Sequence, residues 1–149
     1  MNKCYPQVKH DAVQRGLIGE IISRFEKKGL KILAIKIINP SIDQMEKHYE
    51  EHKEKCFYSE LIEFSTSGPI VAMVLEGPNA IALCRKLIGS TDVFKSEPGT
   101  IRGDFSMTTS RNLIHGSSDK DSSDREISLW FTKDELLYYD KTNDFWAID

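Results

Sequence analysis

The chain reads as an α/β protein, an α+β sandwich of helices over one sheet, and three observations carry that reading. Segments with helical apolar spacing alternate with short apolar runs of strand character. Gly, Pro and Asn fall between these segments as stops. At 149 residues the length suits a single domain that buries roughly two thirds of its unfolded surface, so residues 1–149 are taken as one unit.

The elements follow in order. Residues 3–9 form a weak first strand, because Pro6 lies inside it and cannot donate to a ladder. Leu17, Ile18, Ile21, Ile22 and Phe25 recur at helical spacing, with Glu20, Arg24, Glu26 and Lys27 mostly opposite and Gly29 as the stop. Residues 30–38, dense in Ile and Leu, predict a well-buried strand closed by Asn39-Pro40, after which Ser41 caps a helix running to about His52. Residues 57–64 predict a further short helix. Ser67-Gly68-Pro69 turns the chain into a strand over 70–76, and Asn79 and Gly89 bracket a helix over 80–88. Residues 90–110 have the composition of a long loop, which in a compact domain is more often functional than accidental. A last core strand is expected at 113–115 and a helix at 125–131, and the aromatic tail over 138–149 has side chains suited to packing on a neighbour.

Composition removes several function classes. Hydrophobic residues at 40% and charged residues at 29% are ordinary for a globular protein. The longest apolar stretch, residues 70–75, is far short of the roughly 20 residues of a spanning helix. Polar residues Lys9, His10, Asp11 and Arg15 interrupt the first twenty positions, so a secretory block is missing and a cytoplasmic location is the expectation. A net charge of −3 argues against a general or sequence-specific nucleic-acid binder. Cys4, Cys56 and Cys84 lack metal-type spacing and are read as buried or idle thiols.

Four features carry chemistry. His115 ends an apolar run before Gly116-Ser117-Ser118; such a histidine is more often packed or solvated than reactive, yet a neutral imidazole keeps a lone pair able to attack phosphorus. Gly99-Thr100-Ile101-Arg102-Gly103-Asp104-Phe105 places an arginine between glycines, where its planar fork suits phosphate oxygens; a surface turn is the equal alternative. Arg85 and Thr91 flank the start of the same loop. Tyr49 and Phe57 flank His52-Lys53-Glu54-Lys55, where an aromatic ring has a nucleobase or the core as its partner.

Together these pieces resemble the nucleoside diphosphate kinase family over residues 9–131. The matching stretches are Asp11-Ala12-Val13-Gln14-Arg15-Gly16, His48-Tyr49-Glu50-Glu51-His52-Lys53, Ser67-Gly68-Pro69, the Gly99 to Phe105 segment just quoted, and Arg111-Asn112-Leu113-Ile114-His115-Gly116-Ser117. The resemblance implies a ferredoxin-like four-stranded antiparallel sheet with covering helices. It implies a Mg²⁺-assisted ping-pong transfer from ATP to nucleoside diphosphates, through a phosphohistidine at the pros nitrogen of His115. By the same resemblance Lys9, Tyr49, Arg85, Thr91 and Arg102 surround the phosphates, Asn112 with Lys9 reaches the sugar hydroxyls, and Phe57 stacks on the base with Leu61 in support. Glu126 orients the imidazole with Ser117, and the assembly is a homo-oligomer, hexamer or tetramer.

The chain departs from the family pattern in its first strand, where Pro6 and Gln7 stand in an expected apolar run, and at His10, which replaces a proline after Lys9. Asp119 lies one place beyond the usual carboxylate, and Val93 replaces a proline linked to subunit contacts. These departures keep a second reading open, a catalytically weakened nucleotide-binding or interaction protein of the same fold.

Overall fold

A computed structural model describes residues 1–148, and Asp149 lies outside it. Its sheet is antiparallel throughout. β3 (Lys31–Ile38) pairs with β4 (Ile70–Gly77), β4 pairs with both β1 (Asn2–Cys4) and β2 (Pro6–Val8), and β2 pairs with β5 (Ile114–Gly116). The single first strand expected over 3–9 is thus two pieces. Their register against β4 is nevertheless continuous, with Cys4 opposite Leu75 and Gln7 opposite Ala72. The break falls at Tyr5-Pro6, where the imino nitrogen has no proton to give the ladder. Counted as one strand, β1 and β2 complete a four-stranded sheet.

Alternation along the strands builds two cores. Cys4, Val8, Val71, Met73, Leu75 and Ile114 face α1 (His10–Gln14), α2 (Ile18–Lys28), α5 (Ala80–Ile88) and α6 (Ile101–Phe105). Tyr5, Ala72 and Val74 face α3 (Ile42–His48) and α7 (Lys120–Trp130), through Met45, Ile127 and Trp130. Helices cover both faces, which is why β4 is apolar from Ile70 to Leu75. α2 ends at Gly29, whose φ of 107° suits a residue without a Cβ. α4 (Tyr58–Ser65) and the short α8 (Asp144–Ala147) complete the helices, and among the described residues none is long and apolar enough to cross a membrane.

Several expectations need correction. β3 is not well buried: a bulge at Leu33 and its edge position leave Ile35 and Ile37 45% and 61% exposed. The helix capped by Ser41 ends at His48, and a 3₁₀ turn follows over Glu50–His52. Asn79 adopts the left-handed region with no side-chain cap bond. The long loop contains a 3₁₀ turn at Val93–Lys95 and all of α6, whose cap is the Thr100 hydroxyl accepting from the Gly103 amide. α7 starts at Lys120, five residues before the expected helix, because Asp119 caps it. Cys4 and Cys84, 80 positions apart in sequence, are both buried and meet sulfur to sulfur between β1 and α5, whereas Cys56 is exposed.

The C-terminal tail straps onto β3. The Leu137 amide donates to the Leu33 carbonyl at 2.9 Å, and the Tyr139 hydroxyl to the Ile32 carbonyl at 2.6 Å. Lys31 reaches back to the Tyr139 carbonyl, and Lys36 pairs with Glu135 at 2.9 Å.

Candidate active site

β5 carries His115 directly across the ladder from Gln7, on the α7 side of the sheet. Its side chain is 21% exposed, and Nε2 lies 2.8 Å from Oε1 of Glu126, a residue only 2% exposed. An ionised carboxylate can only accept, so the proton of the neutral ring sits on Nε2 and the Nδ1 lone pair is left free. The Ser117 hydroxyl donates to the same Oε1 at 2.8 Å, which fixes the carboxylate from behind.

Behind the imidazole lies a buried polar layer. The His48 ring meets the His115 ring edge to face, with centroids 4.6 Å apart. Trp130 Nε1 donates to His48 Nδ1 at 3.0 Å, and burial, then the neighbouring His115 ring, hold the His48 pKa well below its usual value. His48 is therefore neutral, with its proton on Nε2. His48, His115 and Glu126 offer ligand-type atoms within 4.8 Å of one another, but His115 and Glu126 bond each other while His48 Nε2, which carries the ring proton, has no partner, so the three are not set out as a metal cage. The Tyr5 hydroxyl donates to Gln7 Oε1 at 2.9 Å, while Gln7 Nε2 is buried with no partner.

The approach to β5 is unusual. Leu113 has a φ of 73°, in a region that β-carbon sterics make costly, and the Ile114 amide closes a tight turn on the Asn112 carbonyl at 2.8 Å. Arg102, 3% exposed, grips this turn. Nε and Nη1 donate to the carbonyls of Asn112 and Gly89, both at 3.2 Å, and Nη2 donates to Ile114. A guanidinium has five N–H bonds, so two remain for a ligand. Burial, then the neighbouring Arg85, lower its pKa to about 10. Lys9 donates from Nζ to Asn112 Oδ1 at 2.8 Å, and burial, then the Arg102 charge, lower its pKa to about 8.

A cavity of about 810 Å³ opens on this turn and on His115. Lys9, Tyr49, Phe57, Leu61, Arg85, Thr91, Arg102, Asn112 and Glu126 all line it with the histidine. Ser117 does not and acts from behind Glu126. Arg85 is steadied by the Gly116 carbonyl at 3.1 Å. Phe57 is 45% exposed, with Lys55 Nζ 5.6 Å from its ring centroid. Burial, then the charges of Glu126 and Asp11, push the Tyr49 pKa up and keep the hydroxyl protonated.

The sequence reading missed Arg111, whose guanidinium lies 4.4 Å from the Phe64 ring on the cavity wall. Its place beside Asn112 was the available signal. Lys55 lines the wall as well. Five cations thus face one cavity in a chain of net charge −3. Asp119 is absent from the cavity wall and caps α7 instead, its Oδ1 accepting from the Ser122 amide.

A family model for nucleoside diphosphate kinase matches residues 2–136. The chain belongs to this family. It is 51% identical over 147 residues to a nucleoside diphosphate kinase of Macrococcus caseolyticus, covering 99% of each chain. It is 49% identical over 149 residues to one of Archaeoglobus fulgidus, covering 100% of this chain and 99% of the other. A nucleoside diphosphate kinase family structure from Babesia bovis superposes with a TM-score of 0.96 at 45% identity. A halophilic nucleoside diphosphate kinase from Halobacterium salinarum, solved with CDP, gives 0.96 at 43%. Each of these structures covers 99% of both chains. Membership makes the chain an enzyme, a kinase acting on nucleotides, with the ferredoxin-like fold of the family, and the catalytically weakened reading finds no support.

Proposed function

We propose that the nucleoside diphosphate kinase reaction runs through phosphorylation of His115 at Nδ1. That nitrogen's lone pair attacks the γ-phosphorus of ATP or another nucleoside triphosphate, an N–P bond forms, the bond to the β-phosphate oxygen breaks, and the nucleoside diphosphate leaves. A second diphosphate attacks the phosphohistidine and restores the free ring. The observation that carries this is the Nε2 contact to Glu126, which leaves Nδ1 unprotonated beside a cation-lined cavity. As Nδ1 takes on phosphorus the ring gains positive charge, and the Glu126 carboxylate stabilises it.

Phosphoryl transfer spreads charge over equatorial oxygens, so cationic donors held in place supply most of the catalysis. Lys9, Arg85, Arg102, Tyr49 and Thr91 take the phosphates in this reading. Asn112 and Lys9, already bonded to each other, take the sugar hydroxyls. Phe57 takes the base with Leu61 in support, and stacking alone tolerates any base.

The donor set suits a Mg²⁺ that arrives on the nucleotide. Of the carboxylates on the cavity wall, Glu126 is engaged by His115 and Ser117, and Glu51 and Glu60 are exposed. Such an ion uses phosphate oxygens and water with few protein ligands, and when bound it offsets phosphate charge. A homo-oligomer, hexamer or tetramer, belongs to the same proposal. Ile35 and Ile37 on an edge strand, Phe94 at 86% exposure and Trp146 at 83% offer apolar surface that a second copy would cover; light scattering gives the mass. A cytoplasmic site of action completes it.

The test is incubation with γ-labelled ATP. The protein should take up an acid-labile label that ADP removes and that His115→Ala abolishes. A label that persists in that variant, or none in the parent protein, would overturn the reading.

A further inference from the structure

We propose that Asp11 is a positioning residue for phosphoryl transfer: its carboxylate holds the strained turn at Leu113 from which His115 is delivered to the cavity. The inference rests on His115 being the phosphorylated group.

The turn is accounted for bond by bond. The Leu113 amide donates to Asp11 Oδ2 at 3.1 Å, across 102 positions of sequence. The Leu113 carbonyl accepts from the Lys9 amide at 2.9 Å. The Asn112 carbonyl accepts from the Ile114 amide and from Arg102 Nε, and the Ile114 carbonyl from Arg102 Nη2. Asp11 is thus the one side chain that holds the amide of the residue with positive φ. A branched side chain in that conformation persists only where its surroundings over-determine it. Leu113 is wholly buried, so its amide is poorly solvated without the carboxylate.

Asp11 stands on α1, two residues after Lys9, whose backbone closes the other side of the turn. Its second oxygen is buried without a hydrogen-bond partner. Its negative charge sustains the protonated forms of Lys9 and Arg102. One carboxylate therefore ties together the N-terminal strand, the phosphate-facing cations and the backbone two residues before the nucleophile. Were the turn to relax, Leu113 would move to negative φ and the His115 imidazole would swing off Glu126, with nucleotide contacts on α4 and α5 untouched. The loss would fall more heavily on the chemical step than on binding, where only the contacts of Lys9, Asn112 and Arg102 adjoin the turn.

The experiment uses the full chain with Asp11→Ala, Asp11→Ser and Asp11→Asn. Rapid mixing with γ-labelled ATP gives the rate of protein labelling in one turnover, and equilibrium titration with ADP gives Kd. At about pH 6, where Lys9 stays protonated, Asp11→Ala should slow labelling by about tenfold or more while ADP affinity shifts by less than about threefold. Asn, which keeps an oxygen acceptor for the Leu113 amide, should recover most of the rate, and amide exchange at Leu113 should quicken in the Ala and Ser variants but not in Asn. If Asp11→Ala does not fold, the Ser and Asn variants carry the same comparison. Labelling at the parent rate in Ala or Ser, an equal loss in Kd, or no recovery with Asn would overturn the proposal. Failure of the underlying reading is separately visible, since a label that survives His115→Ala would lie elsewhere.

Discussion

Replacing Tyr5 by Phe and Gln7 by Met, singly and together, tests whether the buried amide beside His115 is a burden on the fold. Both residues are fully buried, Tyr5 donates to Gln7 Oε1, and Gln7 Nε2 has no partner. Leaving a buried polar group unpaired costs about 1–3 kcal/mol, whereas removing both partners of a bond can be neutral or better. Tyr5→Phe strands the amide completely and should destabilise by about 1–3 kcal/mol. Gln7→Met removes the unpaired nitrogen but strands the tyrosine hydroxyl, so the two effects oppose and the net should lie within about 1 kcal/mol of zero. The double variant removes both liabilities and should gain about 1 kcal/mol over the parent, near 3 °C in Tm for a domain of this length. Urea unfolding at one fixed protein concentration measures all four proteins, with an unchanged slope as the control on the unfolded state. A double variant less stable than the parent would refute the reasoning, because it would mean that Gln7 Nε2 is satisfied in solution.

Three further outcomes follow from the site. Lys9 is protonated below its pKa of about 8 and neutral above it; triphosphate affinity should therefore fall by about tenfold as pH rises from about 7.5 to 9. Lys9→Arg should flatten that profile in a fluorescence titration, and a flat profile in the parent protein would count against Lys9 as a phosphate ligand. Glu126→Gln keeps an acceptor but loses the charge that steadies the ring, so single-turnover labelling should slow by at least about tenfold, roughly 1.4 kcal/mol of barrier; an unaffected rate would remove Glu126 from the mechanism. Arg102→Lys cannot serve the carbonyls of Gly89, Asn112 and Ile114 together and should cost about 2 kcal/mol, near 6 °C in Tm by scanning fluorimetry. An unchanged Tm would show that the clamp does not hold the turn.

Elements with a strong period were legible in the sequence. The α2 stripe with its Gly29 stop, the apolar run of β4 and the α5 helix all lie within a residue or two of where patterning puts them. The cavity residues were legible through motif resemblance, and the structure gathers them around one opening. Less legible were features decided by neighbours distant in sequence. α6 has five residues and no period to read, and it is stabilised by its cap and its packing on α5. Ile35 and Ile37 carry the apolar pattern of a covered strand, yet they lie beyond the bulge on an edge strand and stay exposed. The layer of Tyr5, Gln7, His48 and Trp130 has no local signature, because the N-terminal strand, α3 and α7 each supply part of it. Asp11 was quoted only as part of a motif, and its bond to Leu113 depends on how α1 and β5 meet.

The strap across β3 also sets an order of events during synthesis. Tyr139 and the Ile32 carbonyl that it seals are 107 positions apart, which at about 5–20 residues per second is a delay of about 5–20 s. Throughout that interval a nascent chain holds β3 and β4 with the outer flank bare, in the state that most readily recruits a foreign strand. Chains released early, or shortened just before Leu137, would keep that flank bare for good.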